Sequence, residues 1–463
     1  MYFNCHSHTH FSNIRLIDSI NKPKDLINAA IDLGLSDIAI TDHESISGHI
    51  EINQIAKKIK EKNLDFTIAL GNEIYLIESR ETAKQKYYHF ILIAKDEIGH
   101  KALRELSSVA WLNSYSAGGM RRVPLLKSEL SDIYFKYKGH LIATTACMGG
   151  ELGYLITKLE ESEKKNNEQD ALLYHNQIVD FISYCKNLFE DDFYLEIAPS
   201  SNSDQIAVNK RILNIARVFE IPITIGTDAH YLTKEDREVH KAYLNSKNGE
   251  REVDSFYEFA RLMSFEEAFE LLKYSFDDLT IEEIFNNSNQ LKQKISFYDL
   301  EKPQKIPKIK VTNYKQDFNI LNNYDLPYLK NLLISNEIQE RYWVNECLNA
   351  LNNKNLFTLE YLNRLEIEAK IIKNIGDKLN DCLFAYFNTF QHYIDLFWEC
   401  GSTVGPGRGS ATGFLSNYLL GITQLDPIRW NLNYWRFLNE ERVELPSLFM
   451  ILGSCKKRTL TVA

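Results

Sequence analysis

The stretch HSHTHFS, residues 6 to 12, sets His6, His8 and His10 at alternate positions behind a short apolar start. On an extended strand, side chains two apart share a face, so His6 and His8 can turn their rings toward one ion. Groups of similar chemistry recur downstream: Asp42 and His43 in DIAITDH, Glu73 in FTIALGNEIYLI, His89 in YYHFILIAKD, Cys147 in HLIATTACM, and Asp228 with His230 in IPITIGTDAHY. A lone histidine after a strand is ordinarily a hydrogen-bonded or surface residue. A whole series at the ends of successive strands is a different observation, and it points to metal. Imidazole nitrogen, carboxylate oxygen and thiolate together suit zinc, manganese or iron better than magnesium, which prefers an all-oxygen shell. Clustered divalent ions hold phosphate oxygens, acidify a bound water and stabilise a leaving alkoxide, so the chemistry expected is hydrolysis of a phosphate ester.

These residues need elements to position them. Before about residue 270, YFNCHSH, the five runs just quoted and FYLEIAP give seven candidate strands, alternating with helix-like segments. Such alternation predicts repeated α/β units with a largely parallel sheet, and seven strands are enough for a barrel. The carboxyl ends of barrel strands are where active sites are built, and the donors fall there. In PKDLINAAIDLGL, Leu26, Ile27, Ala30, Ile31 and Leu33 recur at helical spacing and Gly34 sits where the helix should end. The polar run EESEKKNNEQDALLYHNQIVDFISYCKNLF reads as an exposed helical excursion. From about 270 to 400 the pattern is mainly helical, and the Pro- and Lys-bearing EKPQKIPKIKV is the expected boundary or linker.

Composition narrows the class. A chain of 463 residues with 44% hydrophobic residues predicts two or three packed domains. The net charge of -10 excludes a uniformly cationic coat, while leaving room for a local basic groove. Seven scattered cysteines without a CxxC pair fit a reducing cytoplasm. With no leader pattern and no run of roughly 18 apolar residues, no membrane partner is expected.

The donor spacings resemble the polymerase and histidinol phosphatase (PHP) domain, a metal-dependent phosphoesterase family with a distorted seven-stranded barrel and three metal ions. Its His-x-His, Ser and Asp motif corresponds here to His6, His8, Ser12 and Asp18, with His10 as a rival to Asp18. Its Thr-Asp-His motif corresponds to Thr41, Asp42 and His43, and its Gly-x-Glu to Gly71 and Glu73. The histidine on the next strand is His89, the cysteine is Cys147 in TTACMGG, and the closing Asp-x-His is Asp228 and His230. The resemblance implies that His6, His8, Asp18, His43, Glu73, His89, Cys147, Asp228 and His230 ligate metal, with Glu73 bridging. Asp42 would orient a ligand. Catalysis would rest on His6, His8, Glu73, Asp228 and His230, with zinc or manganese, or iron, and no organic cofactor.

Residues 404 to 446 open with VGPGRGSATGFL, a Gly-rich loop before an apolar helix, physically a cradle for phosphate. The run through ITQLDPIRW and RFLNEERVELP, together with YLNRLEIEAKIIKNIG upstream, resembles the palm of the bacterial DNA polymerase III alpha subunit. That likeness, barrel included, extends over nearly the whole chain. It implies a PHP domain over 1–270, a helical connector over 271–355 and a partial palm over 356–463, in which Gly407, Arg408, Gly409 and Ser410 meet phosphates. The family's acidic metal-binding strand after Pro446 reads Ser447, Leu448, Phe449, Met450, Ile451 here. No carboxylate stands at its three positions, and the chain stops at Ala463, so polymerase activity is expected to be absent.

Three readings follow. The first is a 3′ to 5′ exonuclease acting on single-stranded DNA or primer ends, with replication proteins as further partners. The second is a small-molecule phosphatase of the histidinol phosphatase kind, and the third a non-catalytic module that binds DNA or replication proteins. Arg121 and Arg122 are expected to be a solvated loop pair, Trp398, Trp430 and Trp435 core residues, and Lys456, Lys457 and Arg458 an exposed tail.

Overall fold

The computed structural model describes residues 1–441 apart from 15–16, 82–85, 118–119, 247–254, 304, 313 and 315. The expected carboxylate-free strand after Pro446 and the basic tail therefore lie outside the described residues. The chain divides into two units, Met1–Lys302 and Pro303–Ala463, and the division falls inside EKPQKIPKIKV.

The strands of the first unit are β1 (Phe3–Asn4), β2 (Asp37–Ile40), β3 (Thr67–Ile77), β4 (Tyr88–Ala94), β5 (Tyr115–Ala117), β6 (Met120–Arg122), β7 (Pro124–Leu126), β8 (Leu141–Thr144), β9 (Phe193–Ile197) and β10 (Ile223–Ile225). One mixed sheet runs β1-β2-β3-β4-β8-β9-β10, with β7 added beside β3. Its ends nearly meet, because Cys5 donates its amide to Ile225 and Ser7 bridges Ala229 in parallel. The result is a nearly closed, barrel-like sheet, as the strand pattern led us to expect. Only β4 runs against the neighbours on either side of it. That reversal has a functional effect: the start of β4, carrying His89, reaches the rim at which the other strands end.

Strand alternation divides the apolar residues between two layers. Phe90, Leu92 and Ala94 of β4 pack outward under the helices, while Ile91 and Ile93 point inward with Phe3, Cys5, Ala39, Ala69 and Ile142. Large residues (Phe3, Ile91, Ile93, Ile142) alternate there with small ones (Cys5, Ala39, Ala69), which fills the inside of a sheet that nearly closes on itself. Gly71 lets β4 approach closely, since a β-carbon there would stand 2.8 Å from the Leu92 carbonyl oxygen. Between helices, His49 Nδ1 lies 3.0 Å from His100 Nε2, and its Nε2 lies 3.0 Å from the Gly71 carbonyl. Burial drives His49 down to about 3 and His100 down to about 4, so the folded pair is neutral. The sign follows: the unfolded histidines take up protons below about pH 6.5, the folded ones do not, and stability falls as pH drops. Between pH 7 and pH 5 the wild type should lose about 2 kcal/mol more than His49→Gln in urea denaturation. Parallel loss in both proteins would show His49 to be silent.

Three expectations need correction. The polar run before β9 is not an excursion: in helix Glu168–Phe189, Ile178, Phe181, Ile182, Cys185, Leu188 and Phe189 form a buried stripe, and Phe181 and Phe189 pack on Phe90. Its amino-terminal half exposes even Leu172 and Leu173, which hid the spacing of the rest. Arg121 and Arg122 lie on β6, with their guanidinium groups 5.3 Å from the Trp111 ring and 4.8 Å from the Tyr87 ring. Trp398, Trp430 and Trp435 are exposed; Phe387, Phe414 and Phe437 fill the core of the second unit, an all-helical assembly among the described residues.

In that unit the longest helix, Leu359–Leu379, presents Leu362, Leu365, Ala369, Ile372 and Ile375 to the core at helical spacing. On the same face the wholly buried carboxylate of Glu368 accepts the amides of Leu415 (2.6 Å) and Ser416 (2.8 Å), at the head of the short helix Leu415–Leu419. Those two amides at the helix N-terminus are therefore already occupied, by a side chain of this unit.

Candidate metal centre

His6 and His8 continue the extended chain of β1, and Ser7 between them bonds away, to the carbonyl of Ala39. The period of two turns both rings inward, and their Nε2 atoms stand 3.0 Å apart. Each lies 3.1 Å from Asp228 Oδ1, and they lie 3.3 and 3.1 Å from Glu73 Oε2. Four donor atoms thus face a common point. In tetrahedral coordination at about 2.0–2.1 Å, ligands sit roughly 3.3 Å apart, so these spacings fit a small divalent ion.

Two more groupings adjoin the first. Asp18 Oδ2 lies 2.9 Å from His43 Nε2 and 2.8 Å from His230 Nε2, near His8. Glu73 joins His43 Nδ1 at 2.9 Å through Oε2 and His89 Nδ1 at 2.6 Å through Oε1. Glu73 belongs to two of the three groupings, and Asp18 stands inside one. His10 lies at the surface, stacked on Phe11. Cys147 stands 3.6 Å from His89 Nδ1, beside the groupings and outside them. The turns that aim these ligands are tight: Ala146 and Asp228 adopt left-handed backbone, with φ of 56° and 48°. Aspartate tolerates that region; at alanine it costs about 1–2 kcal/mol.

The surroundings fix which ring nitrogen is free. His8 Nδ1 donates to Ser12 Oγ (3.1 Å), whose hydroxyl donates to Asp42 Oδ1 (2.7 Å), while Thr9 also holds Asp42 through its amide and hydroxyl. Asp42 thus acts on His8 through Ser12. A residue the sequence reading missed does the same for His6: Glu196 Oε1 accepts from His6 Nδ1 at 2.6 Å, and its Oε2 accepts from Thr144. Its signal was an acid within the apolar strand FYLEI. Gly226 makes room for it, since a β-carbon there would lie 2.2 Å from Glu196 Oε1. With their Nδ1 protons held, both histidines direct a lone pair from Nε2 at the common point.

Charge supports the same fit. Burial alone would strip the proton from His6, yet Asp228, Glu196 and Glu73 hold its imidazole well above the ordinary range. Against the same burial penalty, Glu73 and Asp18 raise His43, and Asp18 and Asp228 raise His230. Burial would equally raise Glu73, Asp18 and Asp228, and the surrounding histidines bring each well below the carboxylate range. Glu73 Oε1 and Asp228 Oδ1 nevertheless lack any well-directed hydrogen bond although both are buried. Such a site wants positive charge, and a divalent ion supplies it by displacing protons, so occupancy should fall as pH falls. Glu196→Gln keeps the shape and weakens the hold on His6; metal titration should show affinity lower by about 10-fold or more. Unchanged affinity would make Glu196 a packing residue.

The second unit offers a different picture at the Gly-rich loop. Gly407 and Gly409 take φ of 118° and 72°, and Arg408 and Ser410 are exposed. These four residues are not drawn into a buried site.

Comparison with known proteins agrees with this division. Residues 4–200 match the PHP domain family, and residues 328–450 match the bacterial DNA polymerase III alpha NTPase domain. This chain joins a PHP domain to a DNA polymerase III alpha segment. A DNA-directed DNA polymerase of Bacillus phage SPbeta is 36% identical over 99% of the chain, and the DNA polymerase III subunit alpha of Borreliella burgdorferi 30% identical over 95%. The chain spans 37% and 34% of those two proteins, about a third of their length. A histidinol phosphate phosphatase from Lactococcus lactis, solved with zinc, is 13% identical, with TM-score 0.25 over 58% of this chain and 97% of its own. The first unit holds all three donor groupings; His43, Glu73 and His89 lie wholly within the matched range, while Asp228 and His230, which complete the other two, lie beyond it. Among the described residues no helix is long and apolar enough to cross a membrane.

Proposed function

We propose that the PHP domain is a metal-dependent phosphodiesterase that removes nucleotides from the 3′ end of DNA, in the cytoplasm, and that the polymerase-like segment has no polymerase activity. The observation that carries the hydrolytic part is the trio of donor groupings linked through His8, His43 and Glu73. His6, His8, Asp18, His43, Glu73, His89, Cys147, Asp228 and His230 are the proposed ligands, and Asp42 and Glu196 hold two of the rings in place.

Divalent ions bound there would supply Lewis acidity toward the phosphate and a water acidified to near neutrality. The chain's own part is positioning. The buried carboxylates fix where positive charge resides, the histidines keep their Nε2 lone pairs inward, and the left-handed turns at Ala146 and Asp228 hold the rim. DNA as substrate is supported by the polymerase III alpha segment, which brings Arg408 and Ser410 as proposed phosphate contacts and offers exposed Trp430 and Trp435. Loss of polymerase activity is supported by Ser447, Phe449 and Ile451, where the resemblance calls for carboxylates.

The test is a gel assay of the full chain on 5′-labelled single-stranded and primed DNA, with manganese, zinc or chelator, with and without nucleotides. Stepwise shortening that needs metal, without extension, is the expected result. Intact DNA under every metal would leave a phosphatase or a binding role, and extension would overturn the reading of Phe449 and Ile451.

A further inference from the structure

Beside the donor groupings the barrel rim opens into a pocket of about 200 Å³ that extends past the proposed ligands Cys147 and Asp228 to residues with no part in metal binding. Met148, Ala198, Ser200, Thr227 and Phe259 are among the other residues that line it. Two features make it more than a surface dent. Asp228 is shared, so the pocket wall and the first metal grouping meet at one side chain. Thr227 is 2% exposed, and its hydroxyl oxygen is buried without a hydrogen-bond partner. A buried polar group left unpaired costs stability, and a ligand that reaches the Thr227 hydroxyl from the adjoining pocket would recover that cost.

The lining says what kind of ligand. Two acids, Asp204 and Asp228, line the pocket and no lysine, arginine or histidine does. A phosphate would be repelled there. Met148, Ala198, Phe259 and Ala260 offer apolar surface, and Thr227, Ser200 and Gln205 offer hydrogen bonds. That combination suits an uncharged group with an aromatic part and hydroxyls. The volume lies below the roughly 300–1,000 Å³ of pockets for drug-sized ligands, so it admits one such group and excludes a base-paired duplex.

We infer that this pocket receives the terminal 3′ nucleoside of the strand, the Thr227 hydroxyl bonding it, while the phosphate on its 5′ oxygen reaches the metal centre at Asp228. The inference rests on the phosphodiesterase reading. In the reaction it serves, the oxygen of water forms the new bond to phosphorus. The bond to the 3′ oxygen of the preceding nucleotide breaks, that oxygen takes a proton, and the nucleoside leaves as its 5′-monophosphate. A paired end cannot enter, so the pocket makes the enzyme selective for unpaired termini.

The experiment compares two chromogenic diesters on the full chain loaded with manganese: thymidine 5′-(4-nitrophenyl phosphate), which carries the nucleoside, and methyl 4-nitrophenyl phosphate, which does not. Ala198→Phe fills the pocket and Thr227→Val removes the hydroxyl at constant shape. The ratio of kcat/KM for the thymidine diester over the methyl diester should fall at least tenfold in Ala198→Phe and severalfold in Thr227→Val. Calorimetry with thymidine 5′-monophosphate should show binding to the wild type and its loss in Ala198→Phe. Ratios and binding that do not change overturn the pocket while leaving the phosphodiesterase reading intact. If neither diester is cleaved, that reading fails, and the calorimetry alone decides whether a nucleoside binds here.

Discussion

Glu73→Gln should reduce metal-dependent hydrolysis by on the order of 10³-fold, equivalent to about 4 kcal/mol of lost transition-state stabilisation. The size follows from position. Oε2 of Glu73 lies within 3.3 Å of His6, His8 and His43, and Oε1 lies 2.6 Å from His89, so one carboxylate serves two groupings. The amide keeps the shape but carries no charge, and it turns an N–H donor toward a place that should hold a cation. Metal content by mass spectrometry should fall with activity, while circular dichroism stays native. A loss of less than tenfold with full metal content would remove Glu73 from the centre of the mechanism.

The second large effect belongs to the polymerase III alpha segment and to stability. Glu368 is wholly buried, takes two helix amides and lies 3.0 Å from the guanidinium of Arg364. Burial pushes its carboxyl above the usual range, against the pull of the Ser416 and Leu415 amides and Arg364. Glu368→Ala orphans both amides and leaves Arg364, which also donates to the carbonyls of Gly413 and Leu432, without its counter-charge. Breaking such a buried pair from one side costs about 3–5 kcal/mol. Glu368→Gln, which retains an acceptor, should lose less, about 1–2 kcal/mol. Guanidinium denaturation followed by hydrogen exchange at Ala411–Leu420 measures both. A loss under 1 kcal/mol for the alanine variant would mean that the short helix finds another cap.

Both effects stem from buried carboxylates, and they differ in how far sequence reveals them. Glu73 was legible because its role is written in local terms: an acid within an apolar strand and like donors on the neighbouring strands; that β3 runs on past it to Ile77 was not. The amino-acid sequence by itself determined the strand series, the donor types and the pairing of His6 with His8, since these follow from residue chemistry and the repeat of an extended chain. Glu196 lay at the margin, an acid within an apolar strand whose meaning depends on His6, 190 residues away. Only the tertiary structure decided that β4 runs backward so that His89 meets Glu73, that Asp18 rather than His10 lies beside His43, and that Thr227 faces a pocket. It alone showed that Glu368 occupies a helix terminus 47 residues downstream. Each of these depends on which side chains are brought together when sheet and helices close, and contacts across such separations are set by packing of the whole unit, which no local pattern encodes.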